Sequence, residues 1–219
     1  MIRFVDLFAG TGGIRLGFEQ AISKIGAKFL CVKSVEIDKR ACETYESNFY
    51  ENPYGDITQD NQLPDFDVLL AGFPCQSFSY AGKQLGFGDT RGTLFFEVER
   101  LLEKHRPRLC LLENVRGLTT HDQGRTFKTI IDCFEKLGYS VSYRLLNASN
   151  FGVPQNRVRI YIIASLDGAV KLSLLNDVGA ADSHKYKEKQ SNYSDLFSSK
   201  NKQVVVEDIL EKSPDKKYD

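Results

Sequence analysis

Apolar residues occur in short blocks through the first 165 positions, and the blocks alternate between two periods. Residues 2–8 form a mostly apolar run of strand type, and residues 13–24 follow with a helical period. The alternation repeats with a strand at 29–37 and a helix at 39–48, where Ala41, Thr44, Tyr45 and Asn48 share one stripe. Residues 67–71 are a fourth buried-type run, placed after an expected third strand that ends near Asp56. Leu94, Phe95, Val98, Leu101 and Leu102 predict a helix, and after the break at Pro107 the run 109–112 predicts a strand. Phe127, Ile130, Ile131, Phe134 and Leu137 mark one more helix, closed by Gly138, before strands at 139–146 and 158–165.

Strands alternating with helices imply an α/β fold, a mostly parallel sheet with helices on both faces. The joint at 147–156 is too short for a crossover helix, so the last strand is expected to be antiparallel. Residues 1–165 therefore read as one domain. After residue 165 the character changes: residues 182–203 carry few apolar side chains and many Lys and Ser, and 166–203 reads as a linker or mobile loop. Residues 204–219 hold one short amphipathic stretch around 206–210 and cannot build a core alone.

Composition narrows the class. The chain has 219 residues, 42% hydrophobic and 26% charged, which excludes wholesale disorder. No apolar run approaches the roughly 18 residues of a membrane span, and the first residues lack the pattern of a signal peptide, so a cytoplasmic protein is expected. With 29 basic and 29 acidic residues, the overall charge carries no footprint of nucleic-acid binding. Five cysteines without a CxxC pair favour neither a disulfide framework nor a zinc site.

Candidate chemistry gathers at the predicted strand ends. The first strand runs through Phe8-Ala9-Gly10-Thr11-Gly12-Gly13 into a helix, a turn whose backbone N–H groups can approach a ligand closely. Glu36 ends the second strand, where a carboxylate can accept both hydroxyls of a ribose. A tight turn and a solvated glutamate would give the same pattern. Asp56 suits either an adenine amino group or an Asx turn before Thr58. Directly after the 67–71 run stands Gly72-Phe73-Pro74-Cys75-Gln76-Ser77, with Cys75 as candidate nucleophile and Pro74 holding it in place. Cys31, Cys42, Cys110 and Cys133 read as packing residues. Residues 77–91, with glycines at 82, 86 and 88, resemble a lid or a loop without function. Glu113 follows an apolar strand, where desolvation favours a protonated carboxyl and hence a proton donor. Arg157 and Arg159 share a strand face and suit a phosphate or base carbonyl, or are an exposed pair.

Taken in order, DLFAGTGG, VEIDKRA, GDI, GFPCQSFSYAG, RGTLFFEV, LLENV and QNRVRIYIIAS resemble the DNA cytosine-5 methyltransferases over residues 1–165. The SFSYAG context is closer to bacterial DNA-modifying enzymes than to the tRNA-methylating branch. The resemblance implies a Rossmann-like methyltransferase sheet and S-adenosylmethionine as cofactor. Phe8 would stack on the adenine, the backbone near Gly10, Gly12 and Gly13 would hold the methionine moiety, and Glu36 the ribose. Asp56 would take the adenine amino group and Ile57 its face, with Ala9, Ile37 and Pro74 completing the pocket. Cys75 would add to C6 of a cytosine flipped out of duplex DNA, Glu113 would serve N3, and Asn114 would position the surroundings of Glu113. Arg157 and Arg159 would steady the cytosine and a phosphate; Val158 stands between them where the family often has a charged residue.

The family continues into a target-recognition domain and returns with a C-terminal helix and a further cofactor block. No such segment is recognised here, and VVVEDILEKSPDKKYD resembles the entry to that domain. Either a second polypeptide supplies recognition or the chain is a fragment; the former is the expectation. A module that binds cofactor or partner without turnover, and a tRNA cytosine-5 methyltransferase, are the alternatives.

Overall fold

The computed structural model describes residues 1–59, 62–74, 94–168 and 170. The stretch 166–219, assigned above to linker and recognition entry, lies almost wholly outside them. Six strands, β1 Ile2–Leu7, β2 Phe29–Val35, β3 Val68–Ala71, β4 Leu109–Val115, β5 Ser140–Asn147 and β6 Val158–Ser165, form one sheet in the order β2-β1-β3-β4-β6-β5. Helices α1 Gly13–Lys24, α2 Lys39–Phe49, α3 Leu94–His105 and α4 Arg125–Lys136 connect them. β1 pairs in parallel with β2 and β3, and β3 with β4, and the sheet also holds one antiparallel pair.

The centre of the sheet is mostly apolar on both faces. Phe4, Val5, Leu7, Leu69, Leu70 and Ala71 are all fully buried, which explains why these runs read as continuous rather than alternating. On one face Phe4 and Leu70 pack with Phe18 of α1, the two rings meeting edge to face at 5.1 Å. Helix α3 buries Phe95, Val98, Leu101 and Leu102, and Phe95 meets Phe134 of α4 at 6.1 Å.

Two expectations change. The third strand is only a single parallel bridge between Glu36 and Tyr54. Glu36 N donates to Pro53 O and Gly55 N to Glu36 O, and Pro53, lacking an N–H, keeps that pairing short. In α2 the buried positions are Cys42 and Tyr45, with Phe49 half-buried, while Thr44 and Asn48 are exposed. The larger apolar side chains turn the helix one position away from the stripe read from small and polar ones. Helix α2 starts on an Asp38 cap, whose Oδ1 accepts from Ala41 N at 2.8 Å.

The described residues fall into two compact units, one made of Met1–Arg144 with Ile160–Leu172 and another containing Leu145–Arg159. Within the second, Asn147 closes the turn before β6: its Oδ1 accepts from Arg157 N at 2.9 Å and its Nδ2 donates to Asn156 Oδ1 at 2.8 Å.

Candidate active site

Strand register builds the site. Leu7 is level with Val35 on β2 and Ala71 on β3, and Ala71 with Leu112 on β4. The next residues, Glu36, Phe8, Gly72 and Glu113, therefore stand in a row along the carboxyl edge of four parallel strands, where open α/β sheets take ligands. Glu113 is still part of β4, which runs three residues beyond the predicted end.

At the β2 end of the row, the Glu36 carboxylate is held by three backbone amides. Oε1 accepts from Ile37 N and Asp38 N, each at 2.8 Å, and Oε2 accepts from Gly10 N at 2.7 Å. Two carboxylate oxygens offer about four acceptor directions, so capacity for a hydroxyl remains. The third bond ties the start of α2 to the turn after β1. In that turn Phe8 and Gly10 take left-handed backbone, with φ of 52° and 55°. For phenylalanine this is a sparsely populated conformation of the kind that persists at functional sites. A Cβ on Gly10 or Gly13 would meet nothing within 4 Å, so the turn faces open space. Ala9 is buried, 9% exposed.

Asp56 makes the Asx turn: Oδ1 accepts from Thr58 N at 2.9 Å and from Thr58 Oγ1 at 2.7 Å. Ile57 is 4% exposed and offers an adenine little side-chain surface, whereas Ile37 is 64% exposed.

At the β3 and β4 ends, a Cβ on Gly72 would lie 3.6 Å from Phe8 O and 3.8 Å from Glu113 Oε2, so the Glu113 carboxyl reaches the base of the loop that leads to Cys75. Asn114, 2% exposed, donates from Nδ2 to Phe73 O at 2.8 Å, and its Oδ1 accepts from Val115 N at 2.8 Å. That clamp holds the chain two residues before Cys75. Pro74 is exposed and is the last described residue there; Cys75 and the 77–91 loop lie outside the described residues. Arg157 precedes β6 and is exposed; Arg159 lies on the strand, half-buried, with Nη1 donating to Val158 O at 2.9 Å.

Sequence reading missed a buried polar network behind the turn. Arg15 of α1 donates from Nη1 to Tyr45 Oη at 2.8 Å and to Glu51 Oε1 at 2.5 Å, and from Nε to Glu19 Oε1 at 2.7 Å. Ser34 Oγ lies 2.7 Å from Tyr45 Oη and donates to Glu51 Oε1 at 2.6 Å. Tyr45 Oη also donates to Asp6 Oδ2 at 3.2 Å, while the buried Asp6 Oδ1 has no hydrogen-bond partner. Burial pushes the Asp6 carboxyl up to about 7, against the opposing pull of Tyr45 and Arg15. The available signal was a charged residue inside the apolar run 2–8 and an arginine in the first turn of a helix on the core side. Burial likewise raises the thiols of Cys31, to about 11, of Cys133, to about 12, and of Cys42 and Cys110.

Comparison with known proteins places the chain. It is 64% identical over 217 residues to the Type II methyltransferase M.BanI of Aneurinibacillus aneurinilyticus, covering 99% of this chain and 50% of the relative. It is 59% identical over 218 residues to the Type II methyltransferase M.HgiCI of Herpetosiphon aurantiacus, covering 100% of this chain and 51% of the relative. The chain thus spans about half the length of these relatives. Among solved structures, a mutant of Spodoptera frugiperda DNMT2 superposes with a TM-score of 0.60 at 26% identity, covering 75% of this chain and 50% of that one. The model of the C-5 cytosine-specific DNA methylase family matches residues 2–219. With nearly every residue inside that match and relatives 59–64% identical along its length, the chain belongs to the C-5 cytosine-specific DNA methylase family.

Proposed function

We propose that this chain is the catalytic part of a DNA (cytosine-5)-methyltransferase, transferring a methyl group from S-adenosylmethionine to C5 of cytosine in duplex DNA. The observation that carries the reading is the row Glu36, Phe8, Gly72 and Glu113 along one sheet edge, in a chain of this family. The residues present fit the cofactor: an open glycine turn, a backbone-anchored carboxylate with acceptor capacity left, and an exposed Ile37 beside it.

When bound, S-adenosylmethionine supplies a methyl group activated on a sulfonium. Phe8 and Ile37 would flank the adenine, with Ile57 and Ala9 behind them. Glu36 would accept from the ribose, and Asp56 Oδ2 would take the adenine amino group while Oδ1 stays on Thr58. The backbone of Gly10, Gly12 and Gly13 would border the methionine moiety, with Pro74 on the substrate side. A base inside a duplex is out of reach, so the cytosine must be extruded. Cys75, as thiolate, would add to C6; a proton from Glu113 to N3 keeps charge from accumulating on the ring, and C5 becomes nucleophilic. Once C5 carries the methyl group, N3 would return its proton to Glu113 and C5 would lose its proton to solvent, re-forming the ring double bond and expelling the Cys75 sulfur as thiolate. Arg157 and Arg159 would hold the base and a phosphate.

Residues 1–165 would be the catalytic domain, 166–203 a linker and 204–219 the start of a recognition region supplied by a second polypeptide or a further segment. The site of action would be the cytoplasm. DNA carrying 5-fluorocytosine, which has no C5 proton to lose, tests the chemistry. With labelled cofactor and the complementary half of M.BanI, the chain is expected to form a covalent adduct that Cys75→Ser abolishes. An adduct that survives Cys75→Ser, or no adduct in any combination, overturns the reading.

A further inference from the structure

Helix α2 touches the cofactor turn at both of its ends. At its start, the Glu36 carboxylate accepts from Asp38 N, the cap residue, and from Gly10 N in the turn. At its end, Phe49 presses on the same turn. A Cβ on Gly12 would lie 2.1 Å from Phe49 Cε2 and 2.8 Å from its Cζ, so the ring occupies the space a side chain at position 12 would need. Over the face of the ring lies Arg15, whose guanidinium carbon is 4.2 Å from the ring centroid. Tyr45 packs against Phe49 at 4.6 Å. Arg15 cannot swing away, since Tyr45, Glu51 and Glu19 hold its nitrogens.

We propose that Phe49 is a positioning residue for the cofactor turn: with an edge against Gly12 and its face under the Arg15 guanidinium, its ring sets the seat of residues 10–13 against Glu36. The inference rests on the reading of that turn as the S-adenosylmethionine site. Phe49 meets no substrate. It acts by keeping Gly10 N on the Glu36 carboxylate before the cofactor arrives, so that binding spends less on ordering the turn. It also gives Gly12 two separate reasons to be glycine: a φ of 89° and the ring behind it.

The test uses the 219-residue chain. Calorimetric titration of S-adenosylmethionine into Phe49→Ala is expected to show a Kd raised about tenfold or more, with Phe49→Tyr restoring affinity to within about twofold of the parent. Gly12→Ala is expected to lose less affinity in the Phe49→Ala background than in the parent, because the ring it collides with is gone. Amide exchange supplies a readout that needs no cofactor. Gly10 N–H should lose protection in Phe49→Ala while Leu69 and Leu70 of β3 keep theirs, a local loosening that a general loss of stability would not give. If Phe49→Ala fails to fold, Phe49→Leu carries the same comparisons with the apolar bulk retained and the flat ring removed. Unchanged Kd together with unchanged Gly10 protection, or equal loss of protection at Gly10, Leu69 and Leu70, overturns the inference. A parent chain that shows no cofactor binding removes the reading of the site, and the Gly10 exchange ratio still decides whether Phe49 seats the turn.

Discussion

Asp6 lies mid-strand with one carboxylate oxygen on Tyr45 and the other buried without a partner. Its ionisation is unfavourable in the folded chain, up to about 7, against an ordinary value of 3.8. Between those two values the folded state holds a proton that the unfolded state has released, so stability falls as pH rises and levels off above about 7. Urea unfolding of the parent and Asp6→Asn should therefore diverge: from pH 4.5 to 8 the parent loses on the order of a few kcal/mol relative to the variant. A constant difference across that range would contradict the buried-acid account. Glu36 is a carboxylate whose bonds all come from N–H donors. Glu36→Gln must turn an amide nitrogen toward one of them, and cofactor affinity measured by calorimetry should fall about tenfold or more. Glu36, Gly72 and Glu113 were legible because each sits one step past an apolar run, and strand ends are where sheets hold ligands. The Arg15–Tyr45–Asp6 network was not, since its members come from three elements and nothing local in the sequence says that they meet.

Among the elements, the β3–β4 pair ties Glu113 and Asn114 to the base of the loop that leads to Cys75. Asn114 satisfies Phe73 O and Val115 N from within the core. Asn114→Ala removes the bond to the buried Phe73 carbonyl and the one from Val115 N, and should lower the melting temperature. Asn114→Asp keeps the bond from Val115 N but sets an oxygen against the Phe73 carbonyl. Both variants should slow adduct formation on 5-fluorocytosine DNA with Glu113 intact; parent-like rates would show that the clamp does not reach the nucleophile. The central strands and α3 were readable from period alone, because burial on both faces or along one stripe leaves a direct mark on residue type. The α2 stripe was misread and the third strand came out shorter than expected, each for its own reason. Tyr45 and Phe49 turn α2 toward Arg15, and Pro53 reduces the strand to one bridge.

Over the whole molecule, the order β2-β1-β3-β4 with level carboxyl ends is what brings four separate sequence blocks into one row. A ligand that binds only this folded arrangement must stabilise it. At about one hundred times its Kd, S-adenosylmethionine should add about 2.7 kcal/mol, seen as a rise in the thermal midpoint that an equal concentration of adenosine alone does not reproduce. A midpoint indifferent to the cofactor would count against the pocket. The parallel β1–β2 and β3–β4 pairs have α1 and α3 between their strands in sequence, as parallel pairing requires, but the insertion of β6 between β4 and β5 rests on pairing that no local period encodes. One property of the interior has a practical side. Burial keeps the four described thiols protonated well above neutral pH, so near pH 7 a maleimide dye should react at Cys75 before any of them. The native chain would then carry its own attachment point for a fluorescent reporter of events at the reaction centre, with no cysteine-free background to engineer.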